Sequence, residues 1–181
     1  MRVVRAADAV AMPWRNGGGV TREYLAHPTA EHFDWRLSVA EVTADGPFSA
    51  FPGLDRILVL LSGKGMSLSF GDGTSVVLSQ PMQHHRFPGE AAVQADLLGG
   101  PTTDLNLFWR RDAWVAEVDV LQAPCDTPDA LFLVYVAQGS VHSDGQSAQA
   151  GDVLWGDGPT HVQGDGRLVV FSLRPATAAS P

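Results

Sequence analysis

The run Leu131-Phe132-Leu133-Val134-Tyr135-Val136-Ala137-Gln138-Gly139 decides the fold, because it repeats a plan used once already in the same chain. It is apolar on both alternate sets of side chains, as a strand covered on both faces must be, and a glycine ends it. A Ser143-Asp144-Gly145 turn follows, then Ala150-Gly151-Asp152-Val153-Leu154-Trp155 and a closing strand, Gly166-Arg167-Leu168-Val169-Val170-Phe171-Ser172-Leu173. The first half holds the same order: Arg56-Ile57-Leu58-Val59-Leu60-Leu61-Ser62-Gly63, Ser67-Leu68-Ser69-Phe70, a Gly71-Asp72-Gly73 turn and Ser75-Val76-Val77-Leu78. Two rounds offset by about 75 residues read as an internal duplication of one β unit. No stretch keeps a helical period between caps, so the expected class is all-β, with two small jelly-roll-like β-barrels.

Around these rounds lie segments with more chemistry in them. Asp34-Trp35-Arg36-Leu37-Ser38-Val39-Ala40-Glu41-Val42 alternates, with Trp35, Leu37 and Val39 on one face and Arg36, Ser38 and Ala40 on the other. The second face is small and polar, suited either to lining a pocket or to meeting water. Asp104-Leu105-Asn106-Leu107-Phe108-Trp109 projects Asp104 and Asn106 together, and Gly46 to Gly53 reads as a loop with two exposed phenylalanines, Phe48 and Phe51. Pro13-Trp14-Arg15-Asn16-Gly17-Gly18-Gly19-Val20-Thr21-Arg22-Glu23 is the densest stretch, from Val20 a strand with Thr21, Glu23 and Leu25 on one face. Consecutive glycines cost backbone entropy, so they must supply a positive φ or a close backbone approach. The segment is either part of a ligand site or a plain turn with Trp14 as a core plug. It is no phosphate loop, since no lysine follows the glycines and no helix begins there.

With 181 residues the chain can bury an ample core, and its 12 basic against 20 acidic residues, a net charge of -8, argue against nucleic acid or an anionic membrane surface as its partner. A single cysteine, Cys125, excludes an intrachain disulfide and any Cys-x-x-Cys motif. Met1-Arg2-Val3-Val4-Arg5-Ala6-Ala7-Asp8 has no apolar run of secretory type and no later stretch reaches membrane-spanning length, so the expected location is the cytoplasm.

Both rounds resemble the cupin pattern of an apolar strand ending in glycine, a glycine hairpin and a Gly-Asp turn before the next strand. That resemblance implies a bicupin, with an N-terminal cupin-like barrel over residues 1–110 and a smaller one over 111–181. Metal-holding cupins carry His-x-His, a Glu seven residues before the strand-ending glycine, and a later His. Here those places hold Ser49, Phe51 and Arg56 in the first round and Cys125, Thr127 and Phe132 in the second, with His161 near the later position. One Cys and one His make no divalent site, and the adjacent His84 and His85 would point to opposite faces, so no metal and no other cofactor is expected. More specifically, the chain resembles the HutD/Ves family from end to end. Pro13 to Gly19 with Thr21 and Glu23, Asp34 to Ala40, Gly46-Pro47-Phe48-Ser49, Phe51-Pro52-Gly53, Arg56, Phe87-Pro88-Gly89, Gly99-Gly100-Pro101 and Asp104-Leu105-Asn106 carry the match. Arg15 stands where the family often has Lys, and Val20 where it often has Thr. The resemblance implies a protein that binds a small carboxylate of the urocanate or formylglutamate type and moderates histidine utilisation.

The residues and the resemblance meet at Arg56, a guanidinium where a metal cupin places a carboxylate. Its planar fork pairs with a carboxylate through two hydrogen bonds, and buried alone it would be costly. Either a ligand neutralises it or an internal acid does, with Glu23, Glu41 and Asp104 the candidates. The expected ligand-binding set is Trp14, Arg15, Asn16, Thr21, Glu23, Arg36, Ser38, Arg56, Phe87 and Asn106. Three functions stay open: a carboxylate-binding protein; a metal-independent isomerase or lyase with Glu23 or a histidine as general base; and an interaction module whose second barrel is a homodimer face. No Ser or Cys stands beside a His in a recognised nucleophile motif, which favours binding.

Overall fold

We describe the protein from a computed structural model, over residues 1–14 and 17–176. The strands run in chain order: β1 (Arg2–Val4), β2 (Val10–Pro13), β3 (Gly19–Pro28), β4 (Phe33–Val42), β5 (Gly46–Pro47), β6 (Leu54–Ser62), β7 (Met66–Phe70), β8 (Ser75–Leu78), β9 (His84–Pro88) and β10 (Val93–Leu97). Then come β11 (Thr102–Arg110), β12 (Trp114–Gln122), β13 (Cys125–Asp126), β14 (Leu131–Gln138), β15 (Ser140–Ser143), β16 (Gln146–Gln149), β17 (Val153–Asp157), β18 (His161–Gly164) and β19 (Arg167–Pro175). A 3₁₀ turn over Ala6–Asp8 is the helical element among the described residues, and no helix there is long and apolar enough to cross a membrane.

The chain divides into two compact units, Val10–Asp112 and Met1–Ala9 with Ala113–Pro181. In the Val10–Asp112 unit a six-stranded sheet, β2-β3-β4-β11-β6-β9, accompanies a four-stranded one, β5-β10-β7-β8. They share one core, in which Val42, Leu58, Leu60 and Phe87 from the first meet Met66, Leu68, Leu78 and Val93 from the second. The two-residue period of β4, β11 and β6 puts Leu37, Val39, Leu105, Leu107, Ile57 and Val59 on the opposite face, and these are buried as well. In the other unit β1-β17-β14-β19-β12 accompanies β13-β18-β15-β16, again over one core, with Phe132, Val134, Leu154 and Val170 meeting Val141, Ala148 and Val162.

Three sequence expectations change here. The strands form open sheets rather than closed barrels: β2, β5 and β9, edge strands of the Val10–Asp112 unit, each end at a proline, Pro13, Pro47 and Pro88. Proline has no N–H to donate, which suits it to an edge strand. A division at residue 110 differs from the observed grouping at the N-terminus. β1 pairs with β17 through Arg2↔Trp155, Val3↔Leu154 and Val4↔Val153, and the Arg5 guanidinium donates to Asp152 Oδ2 at 2.8 Å, which ties Met1–Ala9 to the C-terminal unit. Leu25 does not share a face with Thr21 and Glu23, because the register against β4 shifts between Glu23 and Leu25. The extra residue of that bulge, Tyr24, turns every later side chain of β3 over.

Candidate functional site

The Val10–Asp112 unit holds a cavity of about 490 Å³ on the inner face of its larger sheet. Register builds it: β4 against β11 pairs Arg36↔Phe108, Ser38↔Asn106 and Ala40↔Asp104, while β11 against β6 pairs Phe108↔Arg56 and β6 against β9 pairs Arg56↔Phe87. Residues directly opposite on neighbouring strands share a face, so Arg36, Phe108, Arg56 and Phe87 form one row in which guanidinium and ring alternate. The Arg56 guanidinium carbon lies 5.1 Å from the Phe108 ring centre, 5.2 Å from that of Phe87 and 4.4 Å from that of Phe48. Phe48 and Phe51, read from sequence as exposed, are half-buried and close over the arginines. Cation–π attraction explains the placement.

Arg56 is 7% exposed, Asn106 2% and Asp104 0%, and the three are chained by hydrogen bonds. Arg56 Nε and Nη2 both donate to Asn106 Oδ1, at 2.9 and 2.6 Å, and Asn106 Nδ2 donates to Asp104 Oδ2 at 2.6 Å. Arg56 Nη2 stands 3.9 Å from Asp104 Oδ2, an ion pair beyond hydrogen-bond reach. Of the three acids considered for Arg56, Asp104 is the partner; Glu41 is exposed, and Glu23 acts on Arg36 instead. Burial dominates both charges. It pulls Arg56 down to about 10, with Asp104 opposing and Arg36 adding to the fall, and pushes Asp104 up to about 6, against Arg56 and the Asn106 hydrogen bond. Asp104 Oδ1 and Arg36 Nε are buried with no hydrogen-bond partner.

The glycine-rich segment frames the mouth. Trp14 Nε1 donates to Thr21 Oγ1 at 2.8 Å, the Trp14 N–H donates to the Gly19 carbonyl at 2.9 Å, and the Gly17 N–H returns to the Trp14 carbonyl at 3.0 Å with φ at 72°. A Cβ on Gly19 would stand 2.5 Å from the Glu41 carbonyl oxygen and 3.1 Å from the Trp14 ring, so the glycine lets the indole lie against the strand. Trp14 both packs on the core and lines the cavity, so the two readings of this turn describe one residue. Gly19→Ala is therefore expected to cost about 1–3 kcal/mol in urea unfolding, because backbone cannot rotate away from the clash.

Of the ligand-binding set named from sequence, Trp14, Thr21, Arg36, Ser38, Arg56 and Asn106 line the cavity. Arg15 and Asn16 lie outside the described residues. Glu23 and Phe87 are not among its lining residues: Glu23 stands opposite Ser38 on β3, one strand beyond β4, and Phe87 backs Arg56 from β9. Met12, Phe51 and Phe108 also line it and were not legible as a set, since β11 lies between β4 and β6 out of chain order. Asp104 is the carboxylate among the described lining residues, with no His or Cys beside it. That donor set does not fit the divalent metal that cupin sites of the metal-binding kind hold.

The sequence profile of the HutD family matches residues 6–170. An uncharacterized 21.2 kDa protein in the hutC 3' region of Pseudomonas putida is 40% identical over 112 residues, which are 60% of this chain and 58% of that one. The match therefore spans less than two thirds of that relative. Protein Ves of Cronobacter sakazakii is 37% identical over 138 residues, 74% of this chain and 76% of its own. The structure of HutD from Pseudomonas fluorescens SBW25 superposes with a TM-score of 0.86 at 31% identity, over 97% of this chain and 99% of that one. The oxalate decarboxylase of Lactobacillus farciminis, a formate complex, superposes with a TM-score of 0.65 at 11% identity over 94% and 85%, and at that identity shares the cupin-like fold alone.

Proposed function

The chain belongs to the HutD family, and from that premise we propose that it is a metal-independent binding protein for a small carboxylate metabolite, of the urocanate or formylglutamate type, which moderates histidine utilisation in the cytoplasm. One observation carries the binding part. Arg56 is a buried cation beside a cavity, and its hydrogen bonds go to the neutral oxygen of Asn106 while its acidic neighbour stands 3.9 Å away. A guanidinium in that position keeps capacity for a carboxylate, which it binds by a planar fork in a medium where charge-assisted bonds are strong. The cavity volume suits a small metabolite. The regulatory part draws on family likeness and on the hutC-region setting of the Pseudomonas putida relative.

Thermal shift and calorimetry with urocanate and formylglutamate test this. Both acids are expected to raise the melting temperature of the unmutated protein, and Arg56→Ala and Arg56→Gln to abolish the shift and the binding heat. Unchanged melting of the unmutated protein across a panel of such acids overturns the reading.

A second reading is favoured by Asp104. A carboxyl held at about 6 beside an arginine, among the residues around the cavity, has the proton affinity a general base needs near neutral pH, which suits a metal-independent isomerase or lyase better than Glu23 or a histidine does. Consumption of one of the same acids, lost in Asp104→Asn while binding persists, is its expected sign.

The same proposal takes the two units as rounds of one duplicated β pattern. Supporting this, each unit sets a larger sheet beside a four-stranded one, and Arg56 and Phe132 both stand seven residues before a glycine of positive φ, Gly63 and Gly139. Phe132 fills with a ring the place that Arg56 holds with a charge. On this view the N-terminal unit keeps the site and the C-terminal one has a solid core.

A further inference from the structure

Arg36 takes no part in the Arg56 chain, yet it lines the same cavity. Its guanidinium carbon lies 4.6 Å from the ring centre of Phe33, 5.0 Å from Phe108 and 5.4 Å from Phe51. Rings attract the cation through its faces, which leaves the N–H edge as its polar outlet. At that edge Nε is buried and meets no acceptor among the described residues. An unpaired buried donor is costly. Glu23 supplies distant attraction, but it does not line the cavity. Arg56, a like charge, faces the same Phe108 ring with its guanidinium carbon 5.1 Å from the centre. Two cations turned toward one cavity and withdrawn from bulk water repel more strongly than they would in water. Asp104, the one carboxylate among the described lining residues, serves Arg56 through Asn106.

The rows of the sheet set the spacing. β4 and β6 flank β11, and strands lie about 4.8 Å apart, so the backbones carrying Arg36 and Arg56 are about 10 Å apart with Phe108 between them. The guanidinium carbons lie 5.0 and 5.1 Å from the same Phe108 ring centre, so no more than about 10 Å separates them. Two carboxylates joined by a short apolar chain can fork onto one guanidinium each, with the chain crossing the ring.

We propose that Arg36 is a second anion subsite, a specificity-determining residue that makes the preferred ligand a short dicarboxylate, one carboxylate on Arg56 and the other on Arg36. This rests on the carboxylate-binding reading above and narrows it to a chemical class. Negative charge bound beside Arg36 offsets the repulsion between the two cations that share the Phe108 ring.

Calorimetry on the full chain with matched acids tests it: butyrate against succinate, valerate against glutarate, then malonate and adipate for length. Succinate or glutarate is expected to bind about tenfold or more tightly than its monoacid partner, with a falling-off at malonate and adipate. Arg36→Gln is expected to bring that ratio close to one, the diacid losing more affinity than its monoacid partner. Equal affinity for monoacids and diacids in the unmutated protein overturns the inference, as does a diacid preference that survives Arg36→Gln. If that variant fails to fold, the ratio and the length series in the unmutated protein still decide. Failure of every acid, mono or di, sinks the underlying binding reading instead, and binding of monoacids without diacid preference sinks this one alone.

Discussion

Asn106→Leu should lower the melting temperature by more than about 10 °C. Leucine keeps the branching of asparagine but is bulkier, so unmet hydrogen bonds and crowding in a closed site both contribute. Asn106 is 2% exposed and joins two buried charges that do not touch: its oxygen accepts from Arg56 Nε and Nη2 and its amide donates to Asp104 Oδ2. In the variant those three atoms lose their partners, while Asp104 Oδ1 already has none. Each unmet buried group costs about 1–3 kcal/mol, more where the group is charged. Direct attraction across 3.9 Å offsets part of this. A net loss of about 3–5 kcal/mol follows, the range for breaking a buried charge network, and in a domain of about 100 residues each kcal/mol moves the midpoint by about 4–8 °C. Calorimetric melting at neutral pH measures it. A shift of less than about 3 °C would mean that water, rather than Asn106, satisfies the pair.

That network shows what the linear chain reveals and what it hides. Arg36, Ser38 and Ala40 were legible as one lining face because β4 alternates without a break, and a period of two needs no tertiary knowledge. Arg56 stood out through the repeat, seven residues before Gly63, where kindred folds put a carboxylate. Phe108 could be read as a strand residue but not as the ring between two arginines, since that depends on β11 entering between β4 and β6. Neighbour choice of this kind is a global property that local pattern does not encode. Leu25 changed faces for the opposite reason, a single bulged residue that composition does not announce. That the sheets stay open was hidden for the same reason as Phe108, since which strands prove to be edges depends on neighbour choice. Phe48 and Phe51 read as exposed because they sit in a loop, and the cations that draw them inward lie on distant strands.

Between about pH 4 and pH 7 the unmutated protein should lose stability relative to Asp104→Asn, by on the order of 2 kcal/mol in all. The Asp104 carboxyl is held at about 6 against an ordinary 3.8, chiefly by burial, with Arg56 and Asn106 pulling the other way. A carboxyl that holds its proton more tightly folded than unfolded stabilises the fold fully below pH 3.8, and that contribution is lost as the pH rises through 6. Asparagine keeps the shape and has no proton to lose. Subtracting the two urea unfolding curves at each pH removes what the variant shares with the parent, including the depressed carboxyls of Asp72, Glu90, Asp112 and Asp152. The same proton should govern binding. Ionised Asp104 competes with an incoming carboxylate for Arg56, and protonated Asp104 does not, so affinity should fall by up to about tenfold per pH unit above 6. Asp104→Asn should bind with the low-pH affinity of the parent and without that slope. Parallel pH profiles in parent and variant, in stability and in affinity alike, would show that Asp104 stays ionised in the fold and that its pairing with Arg56 outweighs the cost of burying it.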